Sequence, residues 1–206
     1  MNYLSFYNHF GQQGIVSTTE IRKAFPLFDA RRLVEWQRKG YLQRLANRWY
    51  QFTNVQIDEE LLWWTANRLY QPSYLSLESA LSYHGLIPEG VFTQTSVTTR
   101  KTQSLRTRLG TFSYHTLKST LYFGYTIVRK RERPILIADL EKTLLDVCYL
   151  NPQLQTEADF AGMRLNATLL AQRLDLAQFA DYQRLFTNQR LNLRVKTLRH
   201  YIDTHA

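Results

Sequence analysis

The first fifty positions alternate between helical and strand-like spacings of apolar residues. Tyr3, Phe6, Tyr7 and Phe10 fall at i, i+3, i+4 and i+7, which predicts a short helix over 3–10. Gly11 and Gly14 mark a turn, and Ile15-Val16 is one short strand. Ser17-Thr-Thr-Glu20 has the capping-box pattern, in which the hydroxyl and the carboxylate satisfy each other's free backbone donors. It opens a second helix, ended at Phe25 by Pro26. Asp29 is the N-cap candidate of a third helix reaching Lys39, and Gly40 suits the left-handed position beyond its end. Tyr41–Leu45 and Trp49–Phe52 read as two strands joined by Ala46-Asn47-Arg48, where Asn47 tolerates the turn geometry. Helix, short strand, helix, turn, helix, hairpin is the order of a winged helix-turn-helix.

Residues 53–58 are the best linker, dividing the chain into 1–56 and 57–206. Helices are expected from Glu59 to Tyr70 and from Ser76 to His84, the latter closed by Gly85 and Pro88. Between 92 and 137, β-prone runs around Val97, Phe112, Tyr114, Tyr125, Ile127, Val128 and Ile135–Ile137 are punctuated by Gly110, Gly124 and Pro134, predicting a small sheet. From Asp139 onward the pattern is helical. Over 138–149 Asp139 reads as an N-cap, Glu141 suits the positive end of the helix dipole, and Leu140, Leu144, Val147 and Cys148 form the apolar stripe. Lys142 and Asp146 stand four apart and can pair. The expected fold class is α+β: an N-terminal winged helix-turn-helix followed by an α+β C-terminal domain with a helical tail.

Composition narrows the function classes. Hydrophobic residues at 44% and aromatics at 14% of 206 residues predict a packed globular chain. A net charge of +9 favours an anionic partner. One cysteine, Cys148, leaves no disulfide framework and no Cys-rich zinc site. The start lacks a signal-peptide pattern and no apolar run is long enough for a membrane helix, so a cytoplasmic protein with no membrane partner is expected. There is no phosphate-cradling glycine loop and no nucleophile elbow, and His9, His84, His115, His200 and His205 lack metal-ligand spacing. Asp139, Glu141 and Asp146 do not share one helix face. No catalytic residue, metal or cofactor is therefore expected.

On a helical wheel of the third helix, Ala30, Leu33, Val34, Trp36 and Gln37 gather on one side. Arg31, Arg32, Glu35, Arg38 and Lys39 fall within an arc of roughly 120° on the other. A charged face is often only solvated. Here the element order, the basic face on this helix and a basic hairpin (Arg44, Asn47, Arg48) coincide. Together they point to double-stranded DNA, with arginines pairing to base edges and the remaining cations anchoring to phosphates. Residues 1–60 hold only eight Lys/Arg against six Asp/Glu, whereas 61–137 hold ten against Glu78, Glu89 and Glu132. Arg100, Lys101, Arg106 and Arg108 are accordingly candidates for a second anion contact, to flanking DNA phosphates or an acidic partner. A solvated loop is the bland alternative.

The stretches Tyr74-Leu-Ser-Leu-Glu-Ser-Ala-Leu-Ser-Tyr-His-Gly-Leu-Ile87 and Ile137-Ala-Asp-Leu-Glu-Lys-Thr-Leu-Leu-Asp146 resemble the AbiEi family. So does Leu33-Val-Glu-Trp-Gln-Arg-Lys-Gly-Tyr-Leu42, followed by Arg44 and Trp49-Tyr50. That family comprises antitoxins of type IV toxin–antitoxin and phage-defence loci, and the resemblance covers residues 1–150. It implies a winged helix that represses its own operon and a C-terminal part that counteracts a nucleotidyltransferase-type toxin. The family's C-terminal domain is compared with nucleotidyltransferase folds, but the Gly-Ser loop and paired carboxylates of such an enzyme are missing here. A stand-alone transcriptional regulator whose C-terminal domain binds a ligand or dimerises remains the alternative.

Overall fold

The apolar spacing of the first fifty residues is realised as one small core. The structure is a computed structural model and describes residues 1–130 and 133–206. Helix α1 (Tyr3–Phe10) is capped by Asn2, whose side chain accepts the Ser5 N–H at 2.9 Å. β1 (Ile15–Ser17) leads into α2 (Thr18–Ala24) through the capping box, with both Ser17–Glu20 bonds present. Then come α3 (Arg31–Arg38), β2 (Leu42–Ala46) and β3 (Trp49–Phe52). The strands form an antiparallel three-stranded sheet in the order β1-β3-β2. Phe6, Phe10, Val16, Ile21, Leu33, Trp36, Leu42 and Phe52 fill the space between helices and sheet. The Phe6 ring lies 4.7 Å from Trp36 and 5.7 Å from Phe52.

Two local expectations are refined here. The first regular residue of α3 is Arg31, preceded by Ala30, which gives no side-chain cap, and the Asp29 carboxylate accepts the free Arg31 N–H at the helix start as well as the Arg31 Nε–H, at 3.0 Å each. In the hairpin turn the left-handed residue is Arg48 (φ 64°), not Asn47. The register shift between Arg44 and Ala46 moves the turn along by one position. Gly40 does take the left-handed conformation (φ 73°) beyond α3.

Residues 53–58 carry no helix or strand. Asp58 caps α4 (Glu59–Leu69), its carboxylate accepting the Leu61 N–H at 2.8 Å. The helix expected over Ser76–His84 is shorter. Ser73–Leu75 forms β4, Leu77 turns the chain at φ 56°, and α5 covers only Glu78–Tyr83. Pairing with neighbouring strands captures Ser73–Leu75, so the sheet begins upstream of residue 92. β5 (Thr93–Thr98), β6 (Gln103–Thr107), β7 (Gly110–Thr116), β8 (Tyr125–Lys130) and β9 (Arg133–Ala138) complete it. The six strands run β6-β7-β5-β4-β9-β8, with β5–β7 and β4–β9 parallel and the other pairs antiparallel. Glu132, counted above among the acids of this region, lies outside the described residues.

Leu75, Ser96 and Tyr114 stand in one row across the sheet, and the Tyr114 hydroxyl donates to the Ala66 carbonyl of α4 at 2.7 Å. The adjacent Tyr74 points to the opposite face, which is covered by α6 (Leu140–Leu150). The tail is helical: α7 (Glu157–Gly162), α8 (Ala167–Arg173), α9 (Leu176–Leu185) and α10 (Gln189–His205). Leu170, Phe179, Leu191, Val195 and Leu198 from these helices pack with Leu144, Leu145 and Cys148 of α6.

Helix α6 is not the one-sided amphipathic helix its stripe suggested. Every residue from Leu140 to Cys148 is buried, because the sheet covers one side and the tail covers the rest. Lys142 and Asp146 therefore form an ion pair in which both side chains are fully inaccessible. The Asp146 carboxylate also accepts the hydroxyls of Tyr74 (3.0 Å) and Ser76 (2.8 Å). The Lys142 ammonium lies over the rings of Tyr74, Phe123 and Phe186 at 5.2–5.5 Å. Burial pushes the Lys142 ammonium down from its ordinary pKa and the Asp146 carboxyl up, and their mutual attraction opposes both. Gly124 (φ +68°) fits beside this pair because a Cβ there would stand 2.9 Å from Lys142 Cβ.

Removing one partner of a buried pair strands the other charge. Asp146→Ala is expected to cost about 3–5 kcal/mol, read from chemical unfolding. A loss below 1 kcal/mol would show that this pair does not hold the core.

Candidate nucleic-acid interface

The amphipathic spacing of α3 leaves its charged face in solvent, while Leu33 and Trp36 (4% and 2% exposed) anchor it from beneath. Arg31, Arg32, Arg38 and Lys39 are all exposed. They are not equally free. Arg31 pairs with Asp29 at 2.9 Å, and Glu35 bridges Arg32 at 3.3 Å and Lys39 at 2.8 Å. These partners hold the Asp29 and Glu35 carboxyls below the usual carboxylate range, with the hydrogen bonds from Arg31 and Lys39 as the largest causes. Among the described residues, Arg38 has no such partner. Asp29, Arg31, Arg32, Val34, Glu35 and Arg38 line a shallow depression on this face.

Val34 belongs to that face, contrary to its expected place on the buried side. It is half exposed, since Leu33 and Trp36 alone saturate the contact with the core. Leu27, in the turn between α2 and α3, is fully exposed. Pro26-Leu27 carried no sequence signal that could have marked it.

The hairpin presents Arg44, Asn47 and Arg48, all exposed, and Arg44 and Arg48 have no ion pair among the described residues. The turn is held in place, since the Arg48 carbonyl accepts the Thr18 N–H at 2.9 Å at the start of α2. α2 is in turn tied to the second half of the chain. Arg68 of α4 pairs with Glu20 while its guanidinium lies 5.3 Å from the Trp49 ring and 4.7 Å from the Trp64 ring. Ile15 and Leu45 of the small sheet share an apolar cluster with Leu61 and Trp64 of α4. Arg133 of β9 donates to the Gln12 carbonyl at 3.0 Å. The N-terminal elements are thus seated on the large sheet's α4 side.

Arg100, Lys101, Arg106 and Arg108 are exposed, but they do not converge. Arg100 and Lys101 precede β6, Arg106 is on it and Arg108 follows it. At about 3.3 Å per residue of extended chain, Lys101 and Arg106 alone are separated by roughly 16 Å. Arg100 is partly engaged already, stacked 4.5 Å over the Tyr70 ring and donating to the Gln71 carbonyl. Lys101, Arg106 and Arg108 form no ion pair among the described residues.

The acids near α6 act locally. Asp139 caps the helix, accepting the Lys142 N–H at 2.8 Å, and also accepts the Tyr182 hydroxyl at 2.9 Å. Glu141 accepts the Asp175 N–H, which fixes the start of α9. Among the described residues no group of three or more His, Cys, Asp or Glu is placed to hold a metal ion, and no helix is long and apolar enough to cross a membrane. Comparison with protein-family models and with curated proteins finds no match for this chain.

Burial pushes the Glu20 carboxyl up, but hydrogen bonds from Ser17 and Arg68 outweigh it and hold the group below its ordinary value of 4.5. A depressed carboxyl stabilises the fold above its unfolded pKa, and the contribution fades as pH falls through the lowered value. Glu20→Gln is therefore expected to melt earlier than the parent at neutral pH, with the gap narrowing as pH falls below the group's ordinary value of 4.5. A gap independent of pH in thermal unfolding would contradict this assignment.

Proposed function

We propose that residues 1–56 form a winged helix-turn-helix that binds double-stranded DNA, with α3 in the major groove and the β2–β3 hairpin as the wing. The observation that carries this is the solvent-facing side of α3, where Arg31, Arg32, Glu35, Arg38 and Lys39 stand over an apolar anchor, next to a hairpin bearing two arginines that form no ion pair among the described residues. The ion pairs on that face do not argue against it. Exposed pairs are worth only about 0–1 kcal/mol, so phosphates or base edges replace them at little cost. In this reading Arg31 and Arg32 read base edges, and Glu35 orients Arg32 and Lys39. Arg38, Arg44, Asn47 and Arg48 hold the sugar-phosphate backbone. Val34 supplies an apolar contact of the kind that meets a thymine methyl.

The resemblance to the AbiEi family extends the proposal to the whole chain. We read it as a cytoplasmic type IV antitoxin that represses its own operon and counteracts a nucleotidyltransferase-type toxin, directly or only functionally, through binding rather than catalysis. Residues 57–206 would carry the antitoxin role. Lys101, Arg106 and Arg108 would add phosphate contacts, because the N-terminal part alone has little surplus positive charge.

Footprinting on the protein's own promoter tests the reading at its base. Arg31→Ala/Arg32→Ala is expected to weaken operator binding by ~1–3 kcal/mol per lost base contact. A double variant that shifts the operator as well as the parent does in a gel assay would remove α3 as the reading helix. Arg106→Glu/Arg108→Glu is expected to weaken binding and flatten the log K against log salt slope by about 1–2. An unchanged slope would confine DNA contact to the N-terminal part.

A further inference from the structure

The helical tail holds a buried cation that no acid neutralises. Arg194 of α10 is only 9% exposed, and its Nη1 donates to the Cys148 carbonyl, in the last turn of α6, at 2.6 Å. A helix C-terminus offsets a positive charge only in part, by the equivalent of about half a charge. No carboxylate pairs with this guanidinium among the described residues. Its Nε and Nη2 make no hydrogen bond there either, and neither is among the unpaired side-chain atoms that are closed off from solvent. They keep access to the groove that Arg194 lines. A buried charge without a counter-charge is costly, so a partner for these donors is the expectation.

The groove runs between α10 and the segment 152–155 that follows α6. Its volume is about 520 Å³, in the range of small-molecule sites. Pro152, Arg190, Leu193, Arg194 and Lys196 line it, and no carboxylate does. Arg190 and Arg194 are four apart and so stand on one side of the helix. Arg190 and Lys196 are exposed and form no ion pair among the described residues. The acids of the neighbouring α7 are engaged elsewhere: Glu157 lies 3.0 Å from His200, and Asp159 closes the capping box with Thr156. Three cations facing no acid favour a dianion over a monoanion, and the guanidinium fork matches phosphate oxygens. Leu193, 68% exposed, and Pro152 add an apolar wall, and the volume is far more than a phosphate group alone fills.

We propose that this groove binds a small organic phosphate monoester. The phosphate oxygens accept from Arg194, Arg190 and Lys196, and the organic part lies along Leu193 and Pro152. The tail lies on the α6 side of the large sheet and the N-terminal elements on its α4 side, so the site is separate from the proposed DNA-reading face and does not rest on that reading.

The test is calorimetry on the full chain. Phenyl phosphate is the probe, inorganic phosphate offers the same group without an organic part, and benzoate offers the ring with a single carboxylate. Phenyl phosphate should bind one to one and more tightly than both. Arg194→Gln should remove that binding, but it also takes a bond from α6, so the decisive variant changes exposed side chains only. Arg190→Ala/Lys196→Ala should weaken phenyl phosphate by roughly 10-fold or more, the worth of a hydrogen bond to a charged group, with the melting temperature of the free protein unchanged. Arg22→Ala/Lys23→Ala removes two exposed cations from α2 and should leave the affinity as it is. Leu193→Ser should weaken phenyl phosphate and spare inorganic phosphate. Failure of phenyl phosphate to bind at millimolar concentration overturns the proposal. So does an affinity that Arg190→Ala/Lys196→Ala leaves unchanged, that both double variants lower alike, or that is no higher than the affinity for inorganic phosphate or benzoate.

Discussion

Asp146 holds a carboxylate at the centre of the second half of the chain, with no exposure to solvent. Its ligands come from three directions: Lys142 from the same helix, and Tyr74 and Ser76 from β4 and the turn after it. The ammonium that compensates it rests against Phe123 and Phe186, so the pair also touches the approach to β8 and the end of α9. Sheet, α6 and helical tail can all be in place only if this charge is matched. Tyr74 is held between Asp146 and the stacked ring of Tyr125, 4.9 Å away.

A second polar junction sets where the N-terminal elements sit. Arg68 satisfies Glu20, and Glu20 in turn satisfies Ser17 at the head of α2. The guanidinium is sandwiched against Trp49 of the hairpin and Trp64 of α4. Arg133, only 8% exposed, adds a bond to the Gln12 carbonyl. The proposed reading face points away from these contacts, and the hairpin turn is steadied by the Thr18–Arg48 bond.

Much of the local structure was legible because its causes are local. The Ser17–Glu20 capping box, the Asp139 cap and the left-handed Gly40 each involve residues within a few positions of one another. The errors share a different origin. Ser73–Leu75 was taken by strand partners distant in sequence, and Val34 was left outside because two neighbours already filled the contact. The spread of Arg100, Lys101, Arg106 and Arg108 along an edge strand follows from β6 pairing with β7, which spacing does not report.

Periodicity, caps and charge were enough to determine an α+β chain with a helical tail and to single out the basic face of one short helix. They could do so because helix and strand formation depend on near neighbours. Only the tertiary structure decided that Lys142–Asp146 is a buried charge pair rather than a surface one, because burial depends on the sheet and tail closing over both sides of α6. It alone decided that Arg68 joins the two halves. Those facts arise from contacts between residues tens of positions apart, which only three-dimensional packing brings together.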